Sequence, residues 1–140
     1  MKSRQDLRKR TKAYALRIIK LYAALPNGPI AQVLGKQILR SGTSVGAHYR
    51  EGCRAKSNAD FVNKIEGALQ ELDETLYWLE LIDEANVMKA DRLSSLKEET
   101  EELIAMFVTM VKGVKEKTRM LKKKGVIPHP SALIPSEDHG

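Results

Sequence analysis

Apolar residues return every three or four positions along four separate stretches of this chain, and that periodicity allows little except a bundle of amphipathic helices. The first stretch carries Leu7, Tyr14, Ile18, Leu21 and Leu25. Pro26-Asn27-Gly28-Pro29 then breaks it, with Pro29 suited to the first turn of a new helix. The second stretch aligns Leu34, Ile38, Ser41, Val45, Tyr49, Gly52 and Lys56 on one face. Ser57-Asn58-Ala59-Asp60 reads as a capping box with Asp in place of Glu, opening a third helix that carries Phe61, Ile65, Leu69, Leu72, Leu76 and Leu79. After a polar break near Asn86–Asp91, the fourth runs through Leu93, Leu96, Thr100, Leu103, Phe107, Met110, Val114, Thr118 and Leu121 to Gly125, a helix-ending glycine. The expected architecture is all-α, an up-down-up-down four-helix bundle over residues 1–125, followed by a Pro-rich flexible tail over 126–140.

Charge is segregated along the chain. Residues 1–56 carry a net +11, residues 57–111 a net −9 and residues 112–140 a net +4. On ideal helical geometry Lys36, Arg40, Arg50 and Arg54 fall within an arc of about 80°, opposite the apolar face of the second helix. Lys9 and Lys12 lie opposite the apolar face of the first. Lys112, Arg119 and Lys123 repeat the pattern on the last. Every solvated helix turns charge outward, and neighbouring helices can neutralise one another, so internal pairing is one reading. The other starts from the near absence of acids beside these cations, a one-sign face whose self-repulsion an anionic partner would relieve. Lys9, Lys12, Lys36, Arg40, Arg50 and Arg54 are therefore the candidate nucleic-acid contacts.

The middle of the second helix, Ser41-Gly42-Thr43-Ser44 with Gly46 and Ala47, is unusually small. Two glycines four apart cost roughly 1 kcal/mol each relative to alanine. Close approach of a neighbouring backbone would explain them, and a local kink at 41–44 is the competing account. On the third helix Thr75, Trp78 and Ile82 are expected to point away from the stripe of Leu69, Leu72 and Leu76, which marks them as a candidate oligomer interface.

No catalyst is legible. His48 and Glu51 share a helix face but lack the partners of a di-iron bundle, and Cys53 has no histidine to activate it. No P-loop, dinucleotide fingerprint or zinc spacing occurs, so no cofactor and no enzyme activity are expected. A single cysteine fits a reducing compartment, no apolar run is long enough for a bilayer, and the opening MKSRQDLRKRTK lacks an apolar signal core. A cytoplasmic protein without a membrane partner is the expectation.

Arg40-Ser41-Gly42-Thr43-Ser44-Val45-Gly46-Ala47, Tyr49-Arg50-Glu51-Gly52, Arg54-Ala55-Lys56-Ser57, Asp60-Phe61 and Glu74-Thr75-Leu76-Tyr77-Trp78-Leu79-Glu80 together resemble the bacterial four-helix-bundle proteins encoded by intervening sequences of 23S rRNA genes. His48 stands where that family's Gly-Ala-Asn-Tyr has asparagine. The resemblance implies a ring-like homopentamer. It also implies kinship with the accessory proteins of diversity-generating retroelements, which bind nucleic acid and a reverse transcriptase. Two functions follow as expectations: an oligomeric, non-enzymatic RNA- or DNA-binding bundle, or a protein–protein adaptor, for example an accessory subunit to a reverse transcriptase or a ribosomal component.

Overall fold

The structure, a computed structural model, describes residues 4–125, so the expectation for residues 126–140 lies outside the described residues. Four helices account for nearly all of them: α1 (Arg4–Ala24), α2 (Pro29–Cys53), α3 (Asn58–Glu84) and α4 (Ser94–Lys123), with a 3-10 turn at Ala90–Arg92 before the last. Pro29 occupies the first turn of α2. Ser57 caps α3, its Oγ accepting from the Asp60 amide at 3.0 Å. Gly125, at φ 74°, closes the end of α4 with its amide donating to the Lys122 carbonyl at 3.0 Å.

Each helix presents a stripe with alternating steps of three and four, the 3.5-residue spacing of side-by-side helix packing. On α1 the buried positions are Leu7, Thr11, Tyr14, Ile18 and Leu21, continued by Leu25 just past its end; on α4 they are Leu96, Thr100, Leu103, Phe107, Val111 and Val114. On α3 the stripe is Phe61, Ile65, Ala68, Leu72, Thr75, Leu79 and Ile82. This helix is rotated slightly from the orientation expected from sequence. Leu69 is only half-buried, at the flank of the core, while Thr75 and Ile82 are both fully buried within the chain. Thr75 and Ile82 therefore cannot form an oligomer interface, and that assignment is corrected. The small Ala68 and Thr75 let α3 settle closely on α2, so the stripe follows them instead of the larger Leu69 and Leu76.

α2 runs as one continuous helix from Pro29 to Cys53, without a break at 41–44. Its glycines serve close approach. A Cβ at Gly42 would lie 2.6 Å from Ile18 Cγ1, and one at Gly52 would lie 2.9 Å from Ile65 Cδ1.

The core is crossed by a layer of hydroxyls, one from each helix. Tyr14 Oη meets Thr100 Oγ1 at 2.6 Å, and Ser41 Oγ meets Thr75 Oγ1 at 2.8 Å. Thr100 donates to the Leu96 carbonyl and Thr75 to the Glu71 carbonyl, each at 2.8 Å. With those protons used, Tyr14 is the donor to Thr100. Burial pushes the Tyr14 phenol up to about 12, although its hydrogen bonds with Thr100 and Thr75 pull the other way.

Candidate nucleic-acid interface

Antiparallel packing decides which charges meet. Gly46 of α2 faces Thr11 of α1, and Gly67 of α3 faces His48 of α2. Lys115 of α4 pairs with Glu66 of α3 at 3.2 Å. These contacts, with Tyr14 level with Thr100 and Arg10 reaching Glu102 and Met106, put residues 4–13, 46–70 and 101–125 in one half of the bundle, and residues 14–45 and 71–100 in the other. The first half carries a net +9 and the second a net −2. Charge segregation along the sequence thus becomes segregation along the bundle axis, with one strongly basic end.

Four of the six candidate contacts, Lys9, Lys12, Arg50 and Arg54, lie in that basic half, and all four are exposed. Among the described residues they form no ion pair. Lys36 is exposed too, but it sits in the acidic half. Arg40 is the clearest departure from expectation. Its Nη1 lies 3.3 Å from Glu71 Oε2 and its Nη2 3.1 Å from Glu74 Oε1. Carboxylates of α3 neutralise this cation within the chain, so the six residues do not make one unpaired surface.

The cations of α4 fall outside the site expected from sequence, yet the fold brings them to it. Lys112, Lys115, Lys117, Arg119, Lys122, Lys123 and Lys124 are all exposed at the basic end. Two are engaged: Lys115 with Glu66, and Arg119 with Glu116 at 2.6 Å. The latter pair holds the Glu116 carboxyl below its usual range, through the hydrogen bond from Arg119 and its charge. Such exposed pairs are screened by solvent, contribute little, and exchange readily with a phosphate. The available signal was the +4 block at the end of the chain, read together with the alternating direction of the helices.

His48 is hydrogen-bonded to neither of its neighbouring carboxylates. Its Nε2 is 3.8 Å from Glu71 Oε2 and its Nδ1 3.9 Å from Glu51 Oε2, both too long for hydrogen bonds. The ring instead lies against Gly67, where a Cβ would come within 3.1 Å of Nδ1. Glu71 is nearly buried, and its carboxyl is raised by desolvation and by the hydrogen bond with Glu74, against the pull of Arg40 and His48. Among the described residues, no group of three or more His, Cys, Asp and Glu side chains is placed to hold a metal ion. No described helix is long and apolar enough to cross a membrane.

Trp78 is half-buried, its ring 5.1 Å from that of Tyr77, and its indole N–H is buried without a partner. Of the exposed large apolar or aromatic side chains, Tyr77, Ile30, Val33, Leu16 and Ile19 belong to the acidic half and Met120 to the basic half. Most of the exposed apolar surface is therefore at the end opposite the cations.

Comparison with known proteins bears on this arrangement. The family described as 23S rRNA-intervening sequence protein matches residues 4–109. A crystal structure of a protein of unknown function from the S23 ribosomal protein family of Bacteroides thetaiotaomicron is similar, with 38% identity and a TM-score of 0.73. The match covers 78% of this chain and 97% of that one. No curated protein matches.

Proposed function

Since this chain belongs to the 23S rRNA-intervening sequence protein family, we propose that it is a non-enzymatic, self-associating bundle that binds RNA through the phosphates met by its basic end. The observation that carries the reading is the net +9 gathered at one end, including cations on α1 and α2 that no carboxylate among the described residues engages. Gathering like charge costs self-repulsion, which a polyanion relieves while releasing its own counterions. The family description, and the ribosomal-protein family of the similar structure, favour RNA over DNA as that polyanion. Backbone contacts of this kind position a ligand without reading its sequence.

Self-association rests on the other end. Trp78, with its unpartnered indole N–H, and the exposed Tyr77, Ile30 and Val33 supply apolar surface of the type that interface cores use. The homopentameric ring belongs to this proposal. An adaptor role toward a protein such as a reverse transcriptase would use the same apolar end.

The test is affinity for structured RNA across a salt series. Paired Arg50→Ala and Arg54→Ala substitutions should weaken binding and reduce the slope of log K against log salt by roughly 0.7–0.9 for each phosphate the protein no longer neutralises. Lys36→Ala, in the acidic half, should leave the slope unchanged. A flat salt response, or equal effects of the two sets, contradicts the assignment. Retention of a protein partner after nuclease treatment, with no RNA bound, would favour the adaptor.

A further inference from the structure

The outer surfaces of α1 and α3 carry matching patterns of opposite sign. On ideal helical geometry Lys12, Leu16, Ile19 and Lys20 fall within an arc of about 100° on α1, opposite its buried stripe. Asp73, Tyr77, Glu80 and Glu84 fall within about 60° on the solvent side of α3. All of them are exposed. Leu16 is 51% exposed and Tyr77 53%, so each strip leaves a large apolar body in water between its charges. Among the described residues, neither the lysines nor the carboxylates of these strips take part in an ion pair.

The two strips also agree in height. α1 and α3 run in the same direction, and Tyr14 and Thr75 sit in one hydroxyl layer. Counted from that layer, Lys12 is level with Asp73, Leu16 with Tyr77 and Ile19 with Glu80. Lys20 lies between the heights of Glu80 and Glu84. We propose that the α1 strip of one copy packs on the α3 strip of the next copy, with the bundle axes parallel and the heights equal. The proposal rests on the self-association assigned to Tyr77 and Trp78 and names the surface they meet. Leu16 and Ile19 cover Tyr77, whose ring lies 5.1 Å from that of Trp78. Lys12 meets Asp73, and Lys20 reaches Glu80 and Glu84. Like strips repel, so α1 does not pair with α1, nor α3 with α3. Such exposed pairs contribute little affinity; they select face and height, while the apolar side chains hold the copies together. Lys12 thereby serves assembly and leaves Lys9, Arg50 and Arg54 to the RNA. α2 packs against both α1 and α3, so the two strips lie on different sides of the bundle. One neighbour cannot meet both. Each copy therefore holds two neighbours, in a ring or a chain, and no closed dimer forms.

Sedimentation velocity of the full chain, without nucleic acid and at one salt concentration, tests this separately from the RNA reading. Lys12→Glu/Lys20→Glu makes both strips acidic, and Asp73→Lys/Glu80→Lys/Glu84→Lys makes both basic. Each variant should raise the concentration for half-assembly by about tenfold or more, with helicity by circular dichroism unchanged. An equimolar mixture of the two should assemble again near the native concentration, because each variant's strips complement the other's. Native oligomers whose half-assembly concentration neither variant moves overturn the pairing and leave self-association standing. Variants that fail to recover on mixing overturn it too, as does a native chain that stops at a dimer. A native chain that is monomeric at every concentration overturns both the pairing and the self-association on which it rests.

Discussion

Alanine at Gly42 should destabilise this protein, whereas alanine at Gly113 should stabilise it. Both glycines lie inside long helices, where alanine is favoured by about 1 kcal/mol. At Gly113 no atom lies within 4 Å of the added Cβ, so the full gain is realised, roughly 3–4 °C in Tm. At Gly42 the Cβ would fall 2.6 Å from Cγ1 and 2.9 Å from Cγ2 of Ile18, which is fully buried. Both atoms hang directly from a branched Cβ with one strongly preferred rotamer in a helix, so the clash cannot be relieved by swinging a side-chain tip. α1 and α2 must separate, at an overpacking cost of about 1–3 kcal/mol. Net of helix propensity, Gly42→Ala should lose up to roughly 2 kcal/mol. Denaturant unfolding followed by circular dichroism, at fixed protein concentration, measures both. A double-mutant cycle isolates the cause. Ile18→Ala alone should cost about 2–5 kcal/mol, and adding Gly42→Ala on that background should recover stability, because the clashing atoms are gone. Equal effects of Gly42→Ala in the two backgrounds, or a gain in the native one, would refute close approach as the reason for this glycine.

Tyr14 makes stability sensitive to alkali. Its folded pKa of about 12 stands above the ordinary 10, so its contribution is complete below pH 10 and disappears as pH rises through 12. The loss amounts to about 3 kcal/mol, and Tyr14→Phe should flatten the stability curve over that window. Arg10 donates to both carboxylate oxygens of Glu99, at 2.8 and 2.6 Å, with both side chains largely buried. Arg10→Ala should therefore cost roughly 2 kcal/mol in denaturant unfolding, well above an exposed pair, because it strands Glu99. Trp78→Ala, by contrast, should shift sedimentation toward the monomer with little loss of helicity. Removing residues 126–140 takes away Glu137 and Asp138 and no Lys or Arg, so it should raise RNA affinity at low salt.

Much of the fold could be read from the chain because its signals are local. Pro29, Ser57 and Gly125 mark helix boundaries through their own backbone chemistry, and the structure uses all three. Rotation of α3 was less legible. Leu69 and Leu76 look more like core than Ala68 and Thr75 by hydrophobicity, but the 3.5-residue stripe and the closeness of α2 favour the smaller pair. Arg40 shows a different limit. Its position on the outer arc of α2 was readable, yet its partners Glu71 and Glu74 come from a helix whose register only tertiary packing sets. Spacing alone placed Lys36 and Arg40 with Arg50 and Arg54, because an arc around a helix says nothing about distance along it.

That distinction has a consequence for assembly. A basic face running the length of each bundle would be hidden or exposed according to how subunits rotate about their axes. A basic end behaves otherwise. Any side-by-side association that keeps the axes parallel brings every subunit's +9 end to one surface, whatever the rotation, and draws its apolar contacts from the half that carries Tyr77, Trp78, Ile30 and Val33. Repulsion between those ends opposes the assembly, so salt should favour oligomers of the free protein while weakening RNA binding. RNA bridging several ends should reverse the penalty and favour oligomers at low salt. Sedimentation at low and high salt, each with and without RNA, separates the two effects. Oligomers that are insensitive to salt, and unaffected by RNA, would mean that the basic ends do not share a surface.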